Sequence, residues 1–401
     1  MKILQIDKFL DVQSSRSGGV GRYISVLSQK LRSFQNDVYM FGCRTDNTQP
    51  ACFPDYFDFT KTRNPFALFR MISNSQAAEK LREFLADKSI DVAHLHNLYH
   101  HLTPAILPVL KNAKIPSIMT LHDYRLACPT RHFYRADGLC TRCVGRKFHH
   151  AVSSSCAGFK GLPLAIESAF QMFLHRYDKY ISKFICPNEF MISVMEKSGI
   201  AKNKLTLLRN IVAPQEAEPL NPDKKSLLYI GRLSREKGVD LLIEAARFLP
   251  SDIEIIIAGD GEMRSGLEEK ISQNKFINIK LLGHVDSADL SKLYQQSNIV
   301  VITSRCMENC PAVMLEAMKA NRCVVVSEQP PLLEWIEDKK TGRVFEIDNP
   351  KSLAEVCSEL LGDFSQVSKL AAAGREKVLA ETSSKSHVGK ILELYKGAIG
   401  Q

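Results

Sequence analysis

Short apolar runs alternate along the chain with longer segments whose apolar residues recur every three to four positions. The runs in the first half are Lys2–Asp7, Asp37–Phe41, Val92–His96, Ser117–His122, Lys183–Cys186 and Leu205–Leu208. In the second half they are Leu227–Ile230, Ile253–Ala258, Ile279–Leu282, Ile299–Thr303 and Cys323–Ser327. A near-continuous run such as Ile253-Glu254-Ile255-Ile256-Ile257-Ala258 suits a strand covered on both faces of a parallel sheet. The segments between the runs, among them Val239–Leu249 and Pro311–Ala320, carry a helical period. This alternation predicts doubly wound α/β domains.

The stretch Ala213–Asp223 breaks the alternation. It holds three prolines and little apolar content, which reads as a linker. The expected organisation is a Rossmann-like domain over 1–210, a linker over 211–225, a second Rossmann-like domain over 226–385 and a C-terminal helix over 386–401. That helix is amphipathic and suited to packing back on the first domain. Two such domains would leave a cleft, and ligands of open α/β sheets bind beyond the carboxyl ends of the strands.

Length and composition agree with this reading. The chain has 401 residues, 45% hydrophobic and 24% charged, which excludes a disordered, collagen-like or disulfide-scaffold protein. No apolar stretch approaches the roughly 18–20 residues that span a bilayer, and the first residues lack the long apolar run of a secretory leader. Eleven cysteines, an odd count, fit a reducing compartment better than a disulfide framework. The expected location is cytoplasmic, with a peripheral position on the inner face of a membrane as an extension.

The net charge of +9 is unevenly spread. Residues 1–205 hold 28 Lys/Arg against 16 Asp/Glu, a balance of +12, and residues 206–401 hold 25 against 28, a balance of −3. Nine of the eleven histidines also lie in the first part. The two halves therefore face different partners.

Four segments carry candidate chemistry. Ser17-Gly18-Gly19-Val20-Gly21 follows the first strand and opens a helix, where backbone amides can approach a phosphate. Gly231-Arg232-Leu233-Ser234-Arg235-Glu236-Lys237-Gly238 follows the first strand of the second domain, and its Arg232 fork and Lys237 point charge suit a diphosphate. In Glu308-Asn309-Cys310-Pro311-Ala312-Val313-Met314-Leu315-Glu316, Pro311 suits the first helical position and Asn309 or Cys310 the cap. The amides of Ala312 and Val313 then become free donors, and Glu308 and Glu316 approach one ligand from two sides. Glu316 has apolar neighbours, so it needs a polar partner, for which a sugar hydroxyl is one candidate. His122 ends a strand of the first domain.

Together these residues resemble a retaining glycosyltransferase of family 4, with the GT-B fold of two facing Rossmann-like domains. The resemblance spans the chain and rests on five motifs in order. These are the glycine loop Gly18–Gly21, His122, Gly231-Arg232-Leu233 with Lys237-Gly238, Ala258-Gly259-Asp260-Gly261, and Glu308 with Glu316. It implies that Arg232 and Lys237 neutralise the diphosphate leaving from a nucleotide-sugar donor, with the Gly18 and Gly19 loop assisting. It implies that Glu316 holds the ribose while Glu308 and His122 contact the donor sugar. No catalytic metal is implied, and the chain has no D-x-D triplet. The implied acceptor is a glycan or a polyprenyl-diphosphate-linked glycan, in polysaccharide or glycoconjugate synthesis. A sugar-nucleotide epimerase or a phosphorylase would share the fold. A nucleic-acid binder explains neither Glu308 and Glu316 nor the α/β alternation. The chain departs from the family at Asn321-Arg322-Cys323 and at Glu328-Gln329-Pro330-Pro331, where a small glycine-rich loop is usual.

Two further features stand apart. Cys128, Cys140, Cys143 and Cys156 are spaced C-x11-C-x2-C-x12-C, in an insertion over about 124–160. One C-x-x-C pair and loose outer spacings leave both a structural zinc site and free thiols open. The segments Asn64–Leu85 and Phe159–Tyr180 carry apolar stripes with basic rims, suited either to an anionic lipid surface or to a protein core.

Overall fold

The computed structural model describes residues 1–10, 18–44, 53–55, 70–135, 137–153, 156, 161–170, 177–212 and 215–400. The chain forms two compact units. The first joins Met1–Phe133, Cys140–Ile211 and Ser383–Gln401, and the second joins Tyr134–Leu139 and Val212–Thr382.

The first unit is built on six parallel strands: β1 (Lys2–Phe9), β2 (Asp37–Cys43), β3 (Val92–Leu95), β4 (Ser117–Thr120), β7 (Ile181–Cys186) and β8 (Leu205–Leu207). Between β4 and β7 the chain also makes a two-stranded antiparallel ribbon of β5 (Tyr134–Arg135) and β6 (Gly138–Leu139). The sheet order is β2-β1-β3-β4-β7-β8. The order reverses between β1 and β3, which puts a ligand-binding switch point at their carboxyl ends. Ile3, Val92, Ile118 and Ile185 from the sheet pack with Ile24 and Leu27 of helix Gly18–Ser33. Val388, Ile391 and Tyr395 of helix Ser384–Ile399 complete this core, so the last helix is part of the first unit.

The second unit repeats the plan with β9 (Ser226–Ile230), β10 (Glu254–Ala258), β11 (Ile279–Gly283), β12 (Ile299–Ile302), β13 (Cys323–Ser327) and β14 (Arg343–Phe345). All pair in parallel, in the order β11-β10-β9-β12-β13-β14. Successive side chains of a strand face opposite ways, and both faces here are core. Leu227, Tyr229, Ile255, Ile257, Val301 and Val325 lie on one face. Leu228, Ile256, Val300, Ile302, Val324 and Val326 lie on the other. This explains the uninterrupted apolar runs. β14 has no such run, because it opens on Arg343, whose guanidinium pairs with Asp338 at 3.0 Å and Glu359 at 2.9 Å.

The switch point of this sheet lies between β9 and β12. The loop after β9 is fastened to the loop after β10. Gly231 N–H donates to Ala258 at 3.0 Å, Leu233 N–H to Asp260 at 2.9 Å and Met263 N–H to Leu233 at 3.0 Å. Gly259, at φ +145°, touches the Gly231 carbonyl so closely that a Cβ would lie 1.8 Å from it. The two glycines of the Ala258–Gly261 motif are thus set by close backbone approach, since a Cβ on Gly261 would likewise stand 2.4 Å from Leu233 O.

Gly259→Ala is expected to destabilise the second unit by about 2 kcal/mol or more, since both the contact and the left-handed backbone exclude a side chain. Urea unfolding followed by tryptophan emission reports this unit, because Trp335 is the only tryptophan and lies in its core. An unchanged midpoint would refute the contact.

Candidate active site

Two loops meet at the β9–β12 switch point. Thr303 Oγ1 donates to Lys237 O at 2.9 Å, and the amides of Arg305 and Cys306 donate to Glu236 O at 2.9 and 3.0 Å. Gly238, at φ +65°, permits this approach, since a Cβ there would stand 2.2 Å from Thr303 O. Arg305 braces the join. Its two terminal nitrogens bind Asp240 at 2.6 and 3.0 Å, and Nε binds Asp348 at 2.6 Å.

The join places Lys237 Nζ 2.6 Å from Glu308 Oε1. Ser304 Oγ donates to the same oxygen. Burial works against the lysine charge, but the adjacent Glu308 carboxylate more than offsets it, and the ammonium is held above the usual lysine range. The Glu308 amide donates to Gln329 Oε1 at 3.0 Å. Gln329, fully buried, donates in turn to Ser304 O and to Ser327 Oγ. The segment that departs from the family's glycine-rich loop thus supplies the amide that fixes the Glu308 backbone. Arg232 sits on the same loop with its side chain 61% exposed, 3.7 Å from Glu236.

Pro311 stands one residue earlier in the helix than its sequence suggests. It is the N-cap of helix Ala312–Lys319, and its carbonyl accepts the Met314 amide at 3.1 Å. Its ψ of 114° explains the shift, since the residue is extended and not helical. Ala312 and Val313 become the first two helical residues, whose amides have no intrahelical acceptor. Glu316 is buried, and Tyr294 O–H donates to its Oε2 at 3.0 Å. The partner that its burial demands is therefore at least partly a tyrosine from helix Ser287–Gln295. No spacing rule links residues 294 and 316.

In the first unit Gly18, at φ +54°, and Gly19 open helix Gly18–Ser33, and a Cβ on either would meet no described atom within 4 Å. Ser17 lies outside the described residues. One turn on, the Tyr23 ring edge contacts the rings of His96, His122 and His387 at 6.0, 5.2 and 5.8 Å between centroids. His122 follows β4 and is partly exposed. Its Nε2 lies 2.9 Å from His96 Nδ1. Burial pulls its pKa down to about 4, so the ring is neutral at pH 7.

The four clustered cysteines are free thiols, with Cys128 and Cys143 buried. Burial and the neighbouring thiols push Cys143 up to about 12. Among the described residues no group of three or more His, Cys, Asp or Glu side chains is arranged to hold a metal ion.

The two parallel-sheet α/β units have the fold of GT-B enzymes. Residues 17–216 match the family described as Glycosyltransferase Family 4, and residues 213–377 match Glycosyl transferases group 1. The chain belongs to the group 1 glycosyltransferases. It is similar to an uncharacterised glycosyltransferase of Methanocaldococcus jannaschii, 28% identical over 310 residues, which are 75% of this chain and 73% of that protein. Its fold is shared with sucrose-phosphate synthase of Thermosynechococcus elongatus (TM-score 0.75, 18% identity, 100% of this chain and 99% of that one). It is shared also with Anabaena HepE, solved with UDP and glucose (TM-score 0.69, 17% identity, 99% of this chain and 100% of that one).

Two outcomes are expected from this geometry. Gln329→Leu leaves the buried Glu308 amide without its acceptor and removes one of the two donors to Ser304 O, the Ser327 hydroxyl remaining, and should cost the second unit about 1–3 kcal/mol in urea unfolding. Acidification should destabilise the first unit. Burial lowers His94 and His96 well below the usual histidine range and brings His122 and His387 to about 4. The unfolded chain therefore binds more protons between pH 6.5 and 4, and stability falls across that window. Asp7, raised to about 6, opposes this with a single group. A thermal midpoint that stays flat from pH 7 to pH 4.5 would contradict the buried neutral histidines.

Proposed function

We propose that the chain is a retaining, metal-independent hexosyltransferase that moves a sugar from a nucleotide-sugar donor to a glycan or lipid-linked glycan. The observation that carries the reading is the Lys237–Glu308 pair at the β9–β12 switch point, one residue triplet before a helix start with open amides. The task of such an enzyme is to stabilise charge on a departing diphosphate, and preorganised cations and amides do this without reorganising. Arg232 and Lys237 supply the cations, and the amides of Ala312 and Val313 and of the Gly18–Gly19 turn add donors. Glu316 accepts from the ribose, while Glu308 and His122 contact the donor sugar.

In a front-face displacement the bond from the anomeric carbon to the phosphate oxygen breaks, and the acceptor oxygen bonds to the same face. The acceptor hydroxyl proton passes to the leaving phosphate. No protein nucleophile is required, and Lys237, held protonated, is a poor base but a good counter-ion.

The acceptor side carries a second feature. Leu162 and Ile166, one turn apart on helix Gly161–Ala169, are 55% and 46% exposed, and Val152 of the contacting helix is 43% exposed. Arg142, Lys147 and His149 are exposed in the preceding loop. Apolar residues beside cations suit an anionic lipid surface, which would present a polyprenyl-linked acceptor. Among the described residues no helix is long and apolar enough to cross a membrane.

UDP-glucose is the first donor to test, given HepE. At one hundred times its Kd it should stabilise the fold by about 2.7 kcal/mol in thermal unfolding. Glu308→Gln should lower kcat about 100-fold or more, EDTA should change nothing, and the product anomer read by proton NMR should match the donor. Inversion, or loss of turnover with EDTA, would overturn the mechanism. Separately, vesicles containing phosphatidylglycerol should co-sediment the protein at low salt, and Leu162→Glu with Ile166→Glu should abolish this. Equal sedimentation of the double variant would refute the lipid surface.

A further inference from the structure

Behind His122 runs a chain of buried polar side chains that the proposed reaction does not use. His96 Nε2 lies 2.7 Å from Gln5 Oε1, and Gln5 Nε2 donates to Tyr395 Oη at 3.3 Å. Tyr395 Oη lies 2.8 Å from His94 Nδ1, and His94 Nε2 lies 2.7 Å from Thr120 Oγ1. Gln5, His94, His96, Thr120 and Tyr395 are all fully buried.

In such a chain each group can give only one proton to the next, so a single fixed member orients the rest. Gln5 is that member. Its Oε1 only accepts, so His96 donates from Nε2 and, being neutral, accepts at Nδ1. His122 must then donate from Nε2. On the other side, Tyr395 accepts from Gln5 and gives its own proton to His94 Nδ1, and His94 donates from Nε2 to Thr120. Each of these five contacts then has one donor and one acceptor. Burial, reinforced by the neighbouring rings, keeps His94 and His96 uncharged, so they answer to the chain by tautomer and not by charge.

We propose that Gln5 and His96 are positioning residues that set His122 as its Nε2–H tautomer, so that His122 meets a ligand hydroxyl as a hydrogen-bond acceptor through Nδ1. Among the described residues Nδ1 has no hydrogen-bond partner, and of the three linked histidines, His94, His96 and His122, only His122 is partly exposed. The ligand class this selects is one that donates: a sugar hydroxyl, in place of a phosphate or carboxylate oxygen. Identifying that hydroxyl with the donor sugar rests on the function proposed above, whereas the tautomer does not.

The full-length protein labelled with 15N-histidine tests the tautomer at pH 7.5 by long-range proton–nitrogen correlation, with His122 assigned from the signals lost in His122→Gln. A bare Nδ1 and a protonated Nε2 are expected. A protonated Nδ1 means that Gln5 is turned over and the chain runs the other way, which overturns the proposal whatever the activity. His96→Leu should release His122 into a tautomer mixture and lower kcat/KM for UDP-glucose about tenfold, while His96→Asn, whose Oδ1 replaces the acceptor, restores both. An unchanged His122 spectrum in His96→Leu would also overturn it. UDP-glucose analogues with one hydroxyl replaced by hydrogen or by fluorine supply the ligand arm. At the position His122 serves, both replacements should cost about tenfold equally, because neither donates. A fluoro analogue that keeps full activity where the deoxy analogue fails would show His122 donating. If UDP-glucose is not turned over at all, the functional reading fails while the spectrum still decides the tautomer.

Discussion

The close approach of the β9 and β12 loops is the constraint on which the second unit's chemistry depends. Strand order reverses there, so two neighbouring strands send their following chains in different directions and leave a crevice. The crevice is useful only if its two rims hold a fixed spacing. The backbone amides of Arg305 and Cys306 bonded to Glu236 O, and the Thr303 hydroxyl bonded to Lys237 O, set that spacing. They form because Gly238 has no side chain to keep Thr303 away. Lys237 and Glu308 are then opposed by the backbone beneath them, with little left to side-chain freedom.

The charge arrangement follows from this economy. A site that uses one lysine, one arginine and a few amides needs no basic surface. The second half can therefore be acidic overall, at −3, while binding the anionic ligand proposed for it. The +12 of the first half has another origin, since the polar groups at its β3 and β4 strand ends include the neutral histidines His96 and His122 and not cations. Its excess cations lie outside the β3–β4 strand ends, among them Arg142 and Lys147 of the Cys-containing insertion.

The fold was largely legible because its strands are covered on both faces, and such strands leave uninterrupted apolar runs. All eleven runs became strands, and β14 was missed because it is three residues long and begins on a paired arginine. The loops bearing Lys237, Glu308 and the Gly18–Gly19 turn were legible for a local reason, since each lies between a strand and the next helix in the sequence. What escaped was every partner distant in sequence. Gln329 reaches Glu308 across 21 residues, Tyr294 reaches Glu316 across 22, and Tyr395 reaches His94 across 301. Periodicity reports which face of an element is buried, not which polar side chains meet once it is.

Gln5, His94 and His96 make that limit concrete. On a strand buried on both faces, glutamine and histidine look like defects in the apolar run. Each would cost several kcal/mol if buried alone. Together they satisfy one another, with Tyr395 from the far end of the chain closing the set. The last helix therefore does more than cover the sheet. Its tyrosine is the group without which Gln5 and His94 would each lose a partner, so the order of protons beneath His122 depends on the chain's C-terminal turns as much as on its first strand. A proton order that requires residues 5 and 395 to meet exists only in the completed fold, which is why no local motif announces it.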